Sequence, residues 1–87
     1  MSEERIQKMR GRLTERFPDA VMDIEDESHL HAGHAGARSG RGHFKLTISA
    51  ADLAGMSMIA RHRAVYEALG DMMQTDIHAL SISASGH

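Results

Sequence analysis

The sequence predicts an α+β fold in which helices cover one face of a three-stranded mixed sheet, in the order α-β-β-α-β. In two segments, apolar residues recur at three- and four-residue spacing, which is the pattern of amphipathic helices. Shorter segments alternate apolar and polar residues, which is the pattern of half-buried strands. The chain has 87 residues and no internal repeat, so residues 1–87 are predicted to form one domain around one core.

The first half of the chain predicts one helix and two strands. A narrow apolar stripe near the N-terminus predicts a helix that Pro18 ends. Alternation then predicts strands over residues 20–25 and 43–49. The helical stripe consists of Ile6, Met9, Leu13 and Phe17, and the inward residues of the second strand are Phe44, Leu46 and Ile48.

A segment rich in glycine and histidine separates the two strands. Residues 27–42 hold three of the seven histidines, His29, His31 and His34, and four of the eight glycines. The segment is too long for a tight hairpin and has almost no core residues. We therefore expect a mobile, exposed loop of the kind that often carries function.

The last third of the chain predicts a capped helix and a strand. Ser57 is suited to cap the helix. The helix's apolar stripe consists of Met58, Ile59, Val65, Tyr66, Leu69, Met72 and Met73. Residues 76–82 then predict a strand in which His78 shares a face with Leu80 and Ile82.

His62 lies inside that apolar stripe, which favours a structural role over a functional one. A histidine in such a position is expected to satisfy its ring nitrogens with backbone groups. Replacement by alanine is then expected to cost about 1–3 kcal/mol of stability.

Topology brings the other histidines together. A strand-helix-strand unit of this length predicts that the second and third strands are parallel and therefore start at one rim of the sheet. His43 and His78 begin these strands, and the loop histidines lead into the second. Either group alone fits a solvated loop or a rim histidine, but their convergence strengthens the case for a metal site, because imidazole is a common ligand.

Composition excludes several kinds of chemistry. No cysteine is present, so the chain itself offers no disulfide, thiol nucleophile or thiolate ligand. The formal charge is −2, and acidic and basic residues are mixed along the chain, so the charge demands neither a nucleic-acid nor a membrane partner. No nucleophile–base pair or phosphate-binding motif indicates an enzyme. The chain has no apolar run of membrane-spanning length and no signal-peptide core, so the expected location is the cytoplasm.

Several motifs, taken together, are similar to those of one known family. They are Glu27-Ser28 followed by His31, His43-Phe44, Gly55, Arg61-His62-Arg63 with Val65-Tyr66 and Leu69, and His78-Ala79-Leu80. Across about residues 3–84 the chain resembles the BolA family. The Arg-His-Arg helix followed by His-Ala-Leu is quite specific.

The resemblance implies a fold similar to class II KH domains, in which a further C-terminal helix usually follows the third strand. Because this sequence stops soon after that strand, the last helix is expected to be absent or reduced. The resemblance also implies a non-catalytic adaptor that pairs with a monothiol glutaredoxin in iron–sulfur cluster assembly, trafficking or iron regulation. The partners would share a [2Fe-2S] cluster, with sulfur from the glutaredoxin cysteine and glutathione.

Carried over residue by residue, the resemblance implies His78 as the constant ligand and His31 as the loop ligand. His29 and His34 are alternates for the loop position. No cofactor is expected for the isolated chain, which is expected to be a monomer.

An alternative implied by the resemblance is a DNA-binding regulator of stress response and cell morphology. The candidate contacts are Arg61, Arg63 and Lys45. Bases are often stacked on aromatic side chains, and this chain has only three, so the sequence favours this alternative less.

Overall fold

In the part of the chain that the structure describes, one sheet of three strands, placed side by side in their order along the chain, supports the helices. The structure is a computed structural model and describes residues 2–27 and 42–86. The predicted loop, apart from its two end residues, lies outside the described part. The elements are α1 (Ser2–Arg16), β1 (Val21–Asp26), β2 (Gly42–Ser49), a short 3-10 turn (Ala51–Leu53), α2 (Met58–Leu69), the one-turn helix α3 (Met72–Thr75) and β3 (Ile77–Ser85).

The sheet is mixed, as predicted. Strands β1 and β2 are antiparallel, with Val21 opposite Ser49 and Asp26 opposite Phe44. Strands β2 and β3 are parallel, which confirms the expectation drawn from the strand-helix-strand order. The starts of β2 and β3 therefore lie at the same rim of the sheet.

The core lies between the helices and one face of the sheet. Helix α1 buries its apolar stripe, and β2 buries alternate residues, because successive side chains of a strand point to opposite faces. The fully buried residues are Met9 and Leu13 of α1, Phe17 directly after it, and Phe44, Leu46 and Ile48 of β2. This packing confirms the predicted α+β fold.

The ends of α2 follow from two local features. The Ser57 hydroxyl accepts a hydrogen bond from the Ala60 N–H at 3.2 Å, so Ser57 caps the helix as predicted. At the other end Gly70 has a φ of 57°, a backbone conformation that side chains rarely adopt. Met72 therefore belongs to the separate helix α3, where it is fully buried.

The apolar stripe predicted for α2 does not form one buried face. Val65 and Leu69 are fully buried, but Met58, Ile59 and Tyr66 are 63, 69 and 40 % exposed. Neighbouring positions on a helix are rotated by about 100°, so only part of so broad a stripe can face the core. The other part forms an exposed apolar surface.

Arg12 ties α1 to the end of α2. Its Nη1 atom donates to the Leu69 carbonyl at 2.7 Å and to Asp71 Oδ1 at 2.6 Å. The hydrogen bond from Arg12, together with its charge, lowers the pKa of the Asp71 carboxyl from its ordinary value of 3.8.

No helix in the described ranges 2–27 and 42–86 is long and apolar enough to cross a membrane.

Candidate functional site

Two histidines meet at the rim where β2 and β3 begin. The ring centroids of His43 and His78 are 5.1 Å apart, with 51° between the ring planes. His43 is only 7 % exposed, whereas His78 is open to solvent. For these two residues the predicted convergence of histidines at one rim is confirmed.

His78 occupies an irregularity in the sheet. Gly42 lies opposite Ile77 and His43 lies opposite Ala79, so the register between β2 and β3 passes over His78. A β-bulge of this kind inserts one extra residue into a strand and re-aims its side chain.

The bulge corrects one prediction from alternation. We expected His78 to share the inward face with Leu80 and Ile82. Instead, Ile77 is fully buried at the start of β3, and His78, the next residue, is exposed.

The backbone holds this rim together at the two ends of the loop. The Glu27 N–H donates to the His43 carbonyl at 2.7 Å, and the Gly42 N–H donates to the Asp76 carbonyl at 2.9 Å. A cleft of about 320 Å³ opens beside these bonds. It is lined by Glu27, His43, Phe44, Ala79, Leu80 and Ser81.

The loop histidines His29, His31 and His34 lie outside the described residues, so their predicted role as ligands stays a prediction. Within residues 2–27 and 42–86, no group of three or more histidine, aspartate or glutamate side chains could hold a metal ion. Of the two imidazoles at the described rim, only that of His78 is open to solvent, while both ring nitrogens of His43 are buried. The described residues therefore offer one accessible imidazole, which fits a single ligand position on an iron whose other ligands come from elsewhere.

Sequence reasoning did not name His43 as a functional residue, although it placed the residue at the rim. Its position at the start of the second strand was the available signal. What the sequence could not supply was the ring contact with His78, because that contact depends on the bulge.

The three residues predicted to contact nucleic acid have different surroundings. The Arg61 guanidinium donates to the Leu53 carbonyl at 2.9 Å and to the Ala84 carbonyl at 3.1 Å, so it is occupied within the fold. Arg63 is exposed. Lys45 is also exposed, but Glu25 lies directly opposite it on β1, which weakens its attraction for phosphate.

His62 is half-buried on α2, and its Nε2 atom is buried. Among the residues that the structure describes, this atom has no hydrogen-bond partner. The predicted backbone bond is therefore not made at Nε2.

Comparison with known proteins identifies the family. The family model described as BolA-like protein matches residues 13–87. The chain belongs to the BolA family. It is 39 % identical over 83 residues to the chloroplastic protein BOLA1 of Arabidopsis thaliana, covering 92 % of this chain and 52 % of that protein. This chain therefore spans about half the length of that relative.

A second relative bears a different name. The DNA-binding transcriptional regulator BolA of Haemophilus influenzae is 35 % identical over 80 residues, covering 92 % of this chain and 68 % of that protein. Neither this name nor that of BOLA1 describes an enzyme.

The fold agrees with solved structures of the family. The BolA domain of SufE1 from Arabidopsis thaliana superposes with a TM-score of 0.78 at 34 % identity, covering 92 % of this chain and 88 % of that one. The α+β fold described above is therefore that of a BolA domain.

Proposed function

We propose that this chain is a non-catalytic adaptor that pairs with a monothiol glutaredoxin and co-ligates a [2Fe-2S] cluster. Its role would lie in iron–sulfur cluster assembly, trafficking or iron regulation. The pairing of His43 with the exposed His78 at the rim is the observation that best supports the proposal. Membership of the BolA family adds to that support.

The chemistry of the chain fits this division of labour. The sequence contains no cysteine, so the partner's cysteine and glutathione must provide the thiolate ligands. Histidine ligation of one iron raises the cluster's potential above that of an all-cysteine site. What this chain contributes is an imidazole on a strand, at an exposed position that a partner can reach.

His78 is the ligand whose backbone the fold holds in place, because it lies on β3. The second imidazole is proposed to come from the loop, with His31 as the first candidate and His29 or His34 as substitutes. The described ends of that loop, Glu27 and Gly42, are both hydrogen-bonded at the rim, which supports this assignment.

The test is reconstitution of the heterocomplex from this chain, a monothiol glutaredoxin, iron, sulfide and glutathione. We expect His78→Ala to change the visible circular dichroism and to shorten the cluster lifetime more than His31→Ala does. His62→Ala is the matched control, since His62 lies on α2, and it should leave both readouts unchanged.

Two outcomes would count against the proposal. If the spectrum and lifetime are the same for His78→Ala as for the unaltered chain, His78 is not a ligand. If the unaltered chain neither binds the glutaredoxin nor shares a cluster with it, the adaptor function itself is wrong.

A second candidate function is DNA binding in transcriptional regulation. The name of the Haemophilus influenzae relative is the specific observation that favours it. In this chain the exposed cations Arg63 and Lys45 would be the phosphate contacts.

A further inference from the structure

We propose that His43 is a positioning residue, which holds the ring of His78 in the orientation that binds iron. The effect on iron binding rests on the proposed function, but the contact between the two rings is present in the chain without iron or partner. The rings of these two residues are 5.1 Å apart at their centroids and tilted by 51°. Aromatic pairs with centroids about 4.5–7 Å apart and inclined planes attract each other.

The bulge explains why His78 needs such a support. The register passes over His78, and its side chain is exposed. Several staggered rotamers are open to an exposed side chain, and only some of them aim a ring nitrogen at a given point. A ring beside it that does not move selects among those rotamers before any partner arrives.

His43 has the properties of such a support. It lies on β2, the central strand, and is 7 % exposed. Its carbonyl accepts the Glu27 N–H at 2.7 Å, which fixes its backbone against the end of β1. The next residue, Phe44, is buried in the core.

The same burial argues against a ligand role for His43. Both of its ring nitrogens are buried, whereas a cluster shared between two proteins must be reached from the surface. His43 therefore acts on the iron site through His78. Residues that orient a metal ligand typically change metal affinity by about 10–100-fold when they are replaced.

Three substitutions separate the effect of the ring from the effect of its nitrogens. His43→Phe keeps an aromatic ring against His78 and removes both nitrogens. His43→Ala removes the ring. His43→Leu fills the buried space without an aromatic ring, and it replaces His43→Ala if that variant unfolds in urea too easily to study.

The first measurement uses the free chain, without iron or partner. NMR side-chain couplings and ring chemical shifts report the rotamers of His78. We expect one dominant rotamer in the unaltered chain and in His43→Phe, and rotamer averaging in His43→Ala or His43→Leu. Unchanged couplings in both ring-less variants would overturn the proposal.

The second measurement uses the reconstituted heterocomplex. We expect His43→Phe to retain the iron–nitrogen signal of pulsed electron paramagnetic resonance and the cluster lifetime. The ring-less variants should lose about tenfold or more of that lifetime. If His43→Phe loses an iron–nitrogen coupling as His78→Ala does, His43 is itself a ligand and the positioning role is overturned.

The two measurements keep the proposals apart. Failure of the unaltered chain to share a cluster would reject the proposed function, while the rotamer measurement would still decide whether His43 positions His78. Normal cluster sharing with a normal lifetime in the ring-less variants would reject the positioning role alone.

Discussion

Three consecutive residues of α2, Arg61, His62 and Arg63, have three different surroundings. Arg61 donates to two backbone carbonyls, His62 buries one ring nitrogen, and Arg63 is exposed. Each step along a helix rotates the side chain by about 100°, so neighbours in sequence meet different parts of the fold. A motif that is continuous in sequence is therefore not one site in space.

The surroundings of His62 change what we expect of its replacement. Its buried Nε2 has no hydrogen-bond partner in the described part of the chain, so removing it should leave no described partner behind. Replacing a buried polar atom that has no partner by an apolar group of similar shape can be neutral or stabilising. We therefore expect His62→Leu to change the free energy of unfolding by between zero and about 1 kcal/mol in favour of the folded state, as measured by urea unfolding.

Tyr66→Leu, one turn further along α2, is the matched control because Tyr66 is 40 % exposed. It should change the free energy of unfolding by no more than about 0.5 kcal/mol. A loss above about 1.5 kcal/mol in His62→Leu alone would show that the ring makes a stabilising bond, as the sequence first suggested.

At the scale of the elements, two glycines lie in contrasting positions, one inside a helix and one at a helix end. Gly11 lies inside α1, where an added Cβ would have no atom within 4 Å. Gly70 ends α2 with a φ of 57°, and a Cβ there would lie 3.3 Å from the Arg12 guanidinium. That guanidinium already bonds the end of α2 and Asp71.

We expect the same substitution to have opposite signs at these two positions. Gly11→Ala should stabilise the protein by about 0.5–1 kcal/mol, because alanine favours a helix interior. Gly70→Ala should destabilise it by about 1–3 kcal/mol, because it forces a strained backbone. Paired urea unfolding curves measure both, and equal signs would contradict the geometry of the α2 end.

The elements also show what the sequence can predict. Alternation on β2 predicted Phe44, Leu46 and Ile48 as core residues correctly, because that strand is regular. On β3 the same reasoning misplaced His78, since a bulge adds a residue without leaving a mark in the pattern of apolar residues. On α2 it included Met58 and Ile59 in the core, since hydrophobicity alone does not say which side a helix presents to the sheet.

The candidate site was also predictable only in part, because the sequence indicates strand order but not the local register. Strand order alone was enough to place His43 and His78 at one rim. Their ring contact needed three-dimensional geometry, because it depends on the register at Gly42.

At the scale of the whole molecule, the distribution of charge separates the two candidate functions. The formal charge is −2. Asp23 and Glu25 are exposed on β1, which pairs with the strand that carries the exposed Lys45. The Arg61 guanidinium donates hydrogen bonds to backbone carbonyls of the 3-10 turn and β3. Sequence-specific DNA binding normally needs several cations that face phosphates and bases.

We therefore expect only weak DNA binding that depends strongly on salt. The dissociation constant at physiological salt should exceed about 1 μM for both duplex and single-stranded DNA, which is the range of non-specific binding. Fluorescence anisotropy over a series of salt concentrations measures it. Arg63→Gln should weaken what binding there is, whereas Arg61→Gln should lower stability first, by about 1.5–3 kcal/mol, because two backbone carbonyls lose a charged donor.

The opposite result has a clear form. A dissociation constant of about 10 nM or below for one DNA sequence, lost in Arg63→Gln while the urea unfolding curve stays unchanged, would make DNA binding the primary function. Cluster sharing through His78 would then need independent support. Binding that fades uniformly for all sequences as salt rises would instead leave the rim histidines as the functional centre of the molecule.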